Sequence, residues 1–357
     1  MLHAPVTPRT IPQGWSGTDL AADSSWRLPL TIAHISELEK ALANAKSKVS
    51  KYADLTKSDF PLGRSLAGLV DRIRTELTVG RGVVLLSGFP VRRFSEGDLC
   101  LCYWGLCIHL GTCVSQDGQA ALLAKVEERG IKQATLTRAY GTRRVHALHV
   151  DLSDVIGLLC VRQASSNPIS SFASAIAVYN EFAFKHPEWL PRLQEGFHWD
   201  RYGEQAAWEA PTSSHPIPVF ERRDGRFSSR FNRNWIKAAA VRRNSPLTDS
   251  ENAMLDFFEA TAQRYAFTFE LAEGDAYFAN NLCALHGRAG YEEDTGESLG
   301  RGRLLLRSWI NLPELRPSPD RSAVHYGLID YGNLGWTAGE LAVGKNLSAG
   351  HQRVFCE

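Results

Sequence analysis

The chain has almost no charge imbalance: 40 Lys and Arg face 39 Asp and Glu, for a formal net charge of +1. Neither half carries a long run of one sign. Nucleic acid and anionic membrane surfaces, which need concentrated positive charge, are therefore excluded as main partners. Long hydrophobic runs are missing too. The densest, residues 83–86 and 155–161, have strand length and fall far short of a bilayer span. Residues 1–15 lack the apolar core of a secretory signal, so a soluble, cytoplasmic protein is expected. No Cys-x-x-Cys pair occurs. Seven cysteines in a chain without a signal point to free thiols rather than a disulfide framework. Cys100, Cys102, Cys107 and Cys113 cluster near His109, but a zinc site favours paired spacing. Residues 99–110, dense in Leu, Trp, Tyr and Ile, read instead as a buried helix with His109 as a core residue.

With 44% hydrophobic and 22% charged residues over 357 positions, the composition is that of a globular protein with a sizeable core. Residues 1–30 read as an irregular arm, residues 34–55 as a surface helix and residues 66–77 as an amphipathic one. Strand signals fall at 83–86, 155–161, 267–271, 276–280 and 303–310. Asp224-Gly225 marks a hairpin between 218–220 and 227–231. Thr248 with Glu251 forms a capping box, and Leu255, Phe258 and Ala262 give that helix an apolar stripe. A mostly β core with helices packed outside, and no clean linker, predicts a jelly roll. Residues 1–80 would pack on the core, 81–315 form the main domain, and 316–357 extend it as a lid, all in one globular unit.

His149-Val-Asp151 precedes the strand signal at 155–161. Residues two apart in an extended segment point to the same side, so imidazole and carboxylate converge. A second histidine would complete a facial triad, which holds Fe(II) and leaves three positions open. His286 lies far downstream, ahead of Arg303-Leu-Leu-Leu-Arg307-Ser-Trp309. In a strand, Arg303, Leu305, Arg307 and Trp309 share one face. Two arginines beside Leu and Trp are costly to bury unless an anion meets them, and a guanidinium fork suits a carboxylate. By parity His146 falls on the opposite side from His149 and reads as a residue behind the ligands or on the surface. Asp154 likewise faces away from Asp151 and reads as structural. His198 and His215 lie in turn-like surroundings.

These segments, with residues 82–90, Asp200-Arg-Tyr-Gly-Glu204, Glu273-Gly-Asp275, Asn280-Asn281 and Leu285-His-Gly-Arg288, resemble the taurine dioxygenase (TauD/TfdA-like) family of Fe(II)/2-oxoglutarate oxygenases. The resemblance covers roughly residues 80–315. It implies a double-stranded β-helix (clavaminate synthase-like) and an oxidoreductase that uses Fe(II), 2-oxoglutarate and O2 on a C–H bond of a small molecule, releasing succinate and CO2. Hydroxylation is the default outcome, and desaturation or cyclisation uses the same machinery. His149, Asp151 and His286 match the iron ligands, and Arg303 the arginine on the distal carboxylate of 2-oxoglutarate. Arg307 matches a second anion contact. Ser170 keeps the hydroxyl of the family's Gly-Gly-x-Ser/Thr turn, although Asn167-Pro168 replaces the glycines. Gln116, Asn281 and Arg288 are placed near the substrate. Related halogenases replace the carboxylate with Gly or Ala, so Asp151 favours oxygenation. The expected substrate is a small carboxylate, an amino acid or a specialised-metabolite intermediate. The rival readings are a cupin-type enzyme independent of 2-oxoglutarate, which has no need of two inward arginines, and a non-catalytic binding protein, which has no need of all three ligands.

Overall fold

Seven of the eight residues in Val155–Arg162 are buried, so this strand must be covered on both faces. It lies at the centre of the larger of two facing sheets. The computed structural model describes residues 14–117, 120–127, 143–205, 210–223, 225–291, 302–316 and 335–344. Its strands in chain order are β1 (Arg27–Pro29), β2 (Val83–Ser87), β3 (Thr112–Val114), β4 (Leu123–Glu127), β5 (His146–His149), β6 (Val155–Arg162) and β7 (Ile169–Ser174). Then come β8 (Phe220–Arg223), β9 (Arg226–Ser229), β10 (Phe267–Glu270), β11 (Ala276–Asn280), β12 (Ala284–Arg288) and β13 (Leu304–Asn311).

The larger sheet runs β1-β2-β11-β6-β13, with β3 and β4 sharing the outer edge of β13. The smaller runs β10-β7-β12-β5, and β8-β9 form a separate hairpin. All pairings are antiparallel except β1 with β2. The strands β5 to β7, and then β10 to β13, alternate between the two sheets, as in the double-stranded β-helix. Pairing across neighbours puts residues into rows that share one face. On the larger sheet one inward row is Leu85, Tyr277, Leu158 and Arg307, and the next is Val83, Ala279, Ile156 and Trp309. On the smaller sheet the rows are Phe267, Phe172, His286, His149 and then Phe269, Ser170, Arg288, His146.

Helices Ile32–Lys48, Arg64–Thr78 and Glu96–Leu110 cover the outer face of the larger sheet around a second apolar cluster. The first is shorter than the expected 34–55, because Val49 is extended and ends it. Helix Asp249–Arg264 carries the expected capping box and buries Leu255, Phe258 and Ala262. The N-terminal arm is not wholly irregular. Residues 14–30 include a short helix and β1, and they bury Trp15, Trp26 and Leu28. Residues 1–13, Asp224 and most of the 316–357 extension lie outside the described residues. The described part of that extension docks on the β3 end: the Ser115 N–H donates to Trp336 O, and the Trp336 N–H donates to Ser115 Oγ, both at 2.8 Å. Among the described residues no helix is long and apolar enough to cross a membrane.

Two glycines of helix Glu96–Leu110 give a test of this packing. Gly97 is exposed, with only Ser95 Oγ, 4.0 Å away, near an added Cβ, whereas a Cβ on Gly105 would sit 2.5 Å from the Phe60 ring. Gly97→Ala should raise stability by about 0.5 kcal/mol, and Gly105→Ala should lower it by about 1–3 kcal/mol. Chemical denaturation of both variants checks the opposite signs.

Candidate active site

The inner faces of the two sheets line a pocket that opens to solvent, with about 530 Å³ of empty space when the open solvent at its mouth is counted. His286 and His149 meet at one place in it because β12 and β5 pair them directly, with ring centroids 4.5 Å apart. Asp151 follows two residues after His149, as parity requires. Candidate ligand atoms of His149, Asp151 and His286 all lie within 4.8 Å of one another, the one such group among the described residues. The clustered cysteines form no such group. His109 is tied instead to the Phe60 carbonyl at 2.8 Å.

The His149 Nδ1–H donates to Ala147 O at 2.7 Å, and its Nε2 lies 3.9 Å from Asp151 Oδ1. Burial first, then the neighbouring His149 imidazole and Arg307 guanidinium, depress His286 to about 3 against the pull of Asp151. His286 is therefore neutral, and among the described residues its buried Nδ1 has no hydrogen-bond partner. The other oxygen of Asp151, Oδ2, accepts from Trp309 Nε1 at 2.9 Å and from Arg307 Nη1 at 3.4 Å. Two imidazoles and one carboxylate oxygen are the donor set of a facial triad.

Arg303 and Ser170 line the cavity away from the triad. Burial lowers the pKa of Arg303, yet the guanidinium remains a cation at neutral pH. Its Nε donates to Gln163 Oε1 at 2.9 Å, and it stacks over Tyr291. Arg288 is half-buried at the rim, donating to Ala289 O and Arg144 O. Gln116 and Asn281 are fully buried and are not among the residues lining the cavity. Gln116 accepts from Arg307 Nε at 2.6 Å and donates to Arg307 O at 2.8 Å. Asn281 accepts from the Asp151 N–H at 3.2 Å and donates to Ser153 O at 3.1 Å. Both brace the site from behind rather than facing a substrate.

His146 corrects the parity argument. It lines the cavity on the same face as His149. The step from His286 to Arg288 is two residues along β12, while its partner step from His149 to His146 is three along β5. The extra residue is a β-bulge, which returns the third residue to the inward face. Asp154 is structural, as expected. Fully buried, it accepts from the Leu312 N–H at 2.7 Å and from Arg316 Nε at 2.9 Å. Arg230, also buried, clamps the same turn by donating to Asp151 O and Ser153 O. Sequence reasoning did not find Arg230, Gln163 or Tyr277. Both faces of β11 are buried, so no alternation distinguishes Tyr277.

A double-stranded β-helix holding two histidines and a carboxylate inside defines a non-haem iron oxygenase. The model of the taurine catabolism dioxygenase TauD, TfdA family matches residues 48–309. The chain belongs to that family, and it is an Fe(II)- and 2-oxoglutarate-dependent dioxygenase. It is 27% identical over 330 residues to FR-33289 synthase of Streptomyces rubellomurinus, covering 91% of this chain and 96% of that protein. It is 23% identical to the taurine hydroxylase-like protein SAT17 of Stachybotrys chartarum, over 87% of this chain and 84% of that one. Among solved structures, an asparagine oxygenase in complex with Fe(II), 3-hydroxyasparagine and succinate superposes with a TM-score of 0.62 at 15% identity, covering 82% of this chain and 97% of that one. The non-haem iron oxygenase OrfP in complex with Fe and alpha-ketoglutaric acid gives 0.58 at 16% identity, covering 80% and 94%.

The bracing of the Asp151 turn is testable without any ligand. Asn281→Ala would take the Asn281 acceptor from the buried Asp151 N–H and leave the Ser153 carbonyl only its Arg230 donor of the two. It should lower stability by about 2 kcal/mol, read as a shift in the urea midpoint. An unchanged midpoint would contradict the bracing role.

Proposed function

We propose that the protein hydroxylates a C–H bond of a small, acid-bearing molecule, an amino acid or a specialised-metabolite intermediate. In this reading His149, Asp151 and His286 hold Fe(II), and Arg303 with Ser170 holds the distal carboxylate of 2-oxoglutarate. The observation that carries it is the convergence of two imidazoles and one carboxylate in a cavity that also holds a buried guanidinium. The FR-33289 synthase relationship and the hydroxylated amino acids in the neighbouring structures support the substrate class.

Bound Fe(II), with 2-oxoglutarate and O2, supplies the oxidation that turns a C–H bond into C–OH while the keto acid leaves as succinate and CO2. The chain's own residues bind, orient and exclude water. The Ala147 carbonyl fixes the His149 tautomer, which would offer Nε2 to the metal. Trp309 and Arg307 hold Asp151 through Oδ2 and so would orient its carboxylate toward the ion. Gln163 fixes the plane of the Arg303 fork by holding its Nε, itself anchored through Nε2 to Leu271 O at 2.6 Å. Val126, Ile156, Leu158 and Leu305 form the apolar wall that keeps water from the reacting centre. Arg288 and His146, half-buried members of the lining, receive the acid group of the substrate. A cupin-type enzyme without 2-oxoglutarate gives no reason to bury Arg303.

Succinate formation from 2-oxoglutarate is the direct assay. Wild-type protein with Fe(II) and O2 should release succinate, stimulated by a matching small acid or amino acid. His286→Ala should reduce that release by at least about 100-fold, and equal release by both proteins would refute the ligand assignment. Trp309→Phe keeps the ring but removes the donor to Asp151. It should raise the Fe(II) concentration needed for half-maximal activity by about tenfold, whereas an unchanged requirement would show that the indole does not orient the carboxylate.

A further inference from the structure

We propose that the Tyr277 hydroxyl is a third donor to the distal carboxylate of 2-oxoglutarate, completing a cradle with Arg303 and Ser170. This inference rests on the cosubstrate reading above and adds a residue to it.

Tyr277 lies on β11 in the inward row with Leu158 and Arg307. The residue is only 5% exposed, yet it lines the cavity. Its ring packs edge-on against Phe172 at 5.1 Å and lies 6.4 Å from both Phe269 and the His286 imidazole. Phe172 belongs to the His286 row of the opposite sheet, and Phe269 belongs to the Ser170 row. The phenol therefore stands between the level of the metal triad and the level of Ser170. The charges of Arg303, Arg307 and Asp151 all bear on it. Burial keeps the phenol protonated far above neutral pH, so it is a donor.

Among the described residues nothing in the protein accepts a hydrogen bond from that hydroxyl. Tyr277 lines the cavity, so a ligand bound there can bring the acceptor that the hydroxyl needs. The ligand expected there is a carboxylate, which has about four lone-pair sites. A two-point guanidinium contact from Arg303 uses two and the Ser170 hydroxyl uses a third. The fourth remains for Tyr277. Gln163 and Leu271 close the same end: Gln163 spans from Arg303 to the Leu271 carbonyl, and Leu271 lines the cavity.

The test is anaerobic calorimetry on the Fe(II)-loaded protein, wild type and Tyr277→Phe. The ligands are 2-oxoglutarate and 2-oxopentanoate, which has a methyl group in place of the distal carboxylate. Phenylalanine keeps the ring on Phe172, and an unchanged thermal midpoint confirms that the variant is folded. The expected result is about tenfold or greater weakening of 2-oxoglutarate binding, with 2-oxopentanoate affinity unaltered. Undiminished 2-oxoglutarate affinity in the variant overturns the role of Tyr277 alone. Equal losses for both ligands also overturn it, because the phenol then acts on the keto-acid end or on the scaffold. A wild-type protein that binds the two ligands equally well overturns the Arg303 and Ser170 anchor, and the cradle with it.

Discussion

Asp151 is tied down through one oxygen, and the rest of the site depends on that. Its Oδ2 is held by an indole N–H and a guanidinium from adjacent inward rows of the same strand, β13. A carboxylate held in this way keeps one orientation, which would suit it to a single metal contact in a facial triad. The pair is also a buried charge pair, with Arg307 6% and Asp151 8% exposed. Removing one partner from such a pair costs about 3–5 kcal/mol, since the other charge is left uncompensated. Gln116 behind Arg307, and Arg230 and Asn281 around the Asp151 backbone, keep the pair from relaxing.

Two sheets make that arrangement possible. The histidines come from one sheet, while Arg307 and Trp309, which restrain Asp151, come from the other, and Arg303 immediately precedes their strand. Each sheet alone would present a half-site to water. Facing each other, they exclude solvent and lower the local dielectric, which strengthens every hydrogen bond inside. The same burial keeps His286 neutral and Tyr277 protonated. The polar side chains here are buried by opposing walls of Phe172, Leu158, Ile156 and Leu305, and the helices outside serve those walls.

Much of this was legible in the sequence where a period of two applies. His149 and Asp151 converge by parity, and Arg303, Leu305, Arg307 and Trp309 share a face as a strand requires. The partner histidine, His286, needed the family resemblance, because nothing local joins positions 137 residues apart. Parity failed at His146, where a bulge adds a residue without any sequence mark. It gave no signal at Tyr277, because β11 is buried on both faces. The arm was read as irregular because β1 is three residues long and ends in proline, too short for alternation to register. Asn281 and Gln116 bond Asp151 and Arg307 from behind the cavity lining. A polar residue beside a ligand looks the same in sequence whether it meets the substrate or the backbone behind it.

The most direct test of the account is an anaerobic titration of the purified protein with Fe(II) and then 2-oxoglutarate, followed by visible absorption. A weak charge-transfer band that saturates at one iron per chain, and is absent from His149→Ala, is the predicted result. Folded, iron-loaded wild-type protein that gives no band, or a His149→Ala variant that gives the full band, would contradict the account.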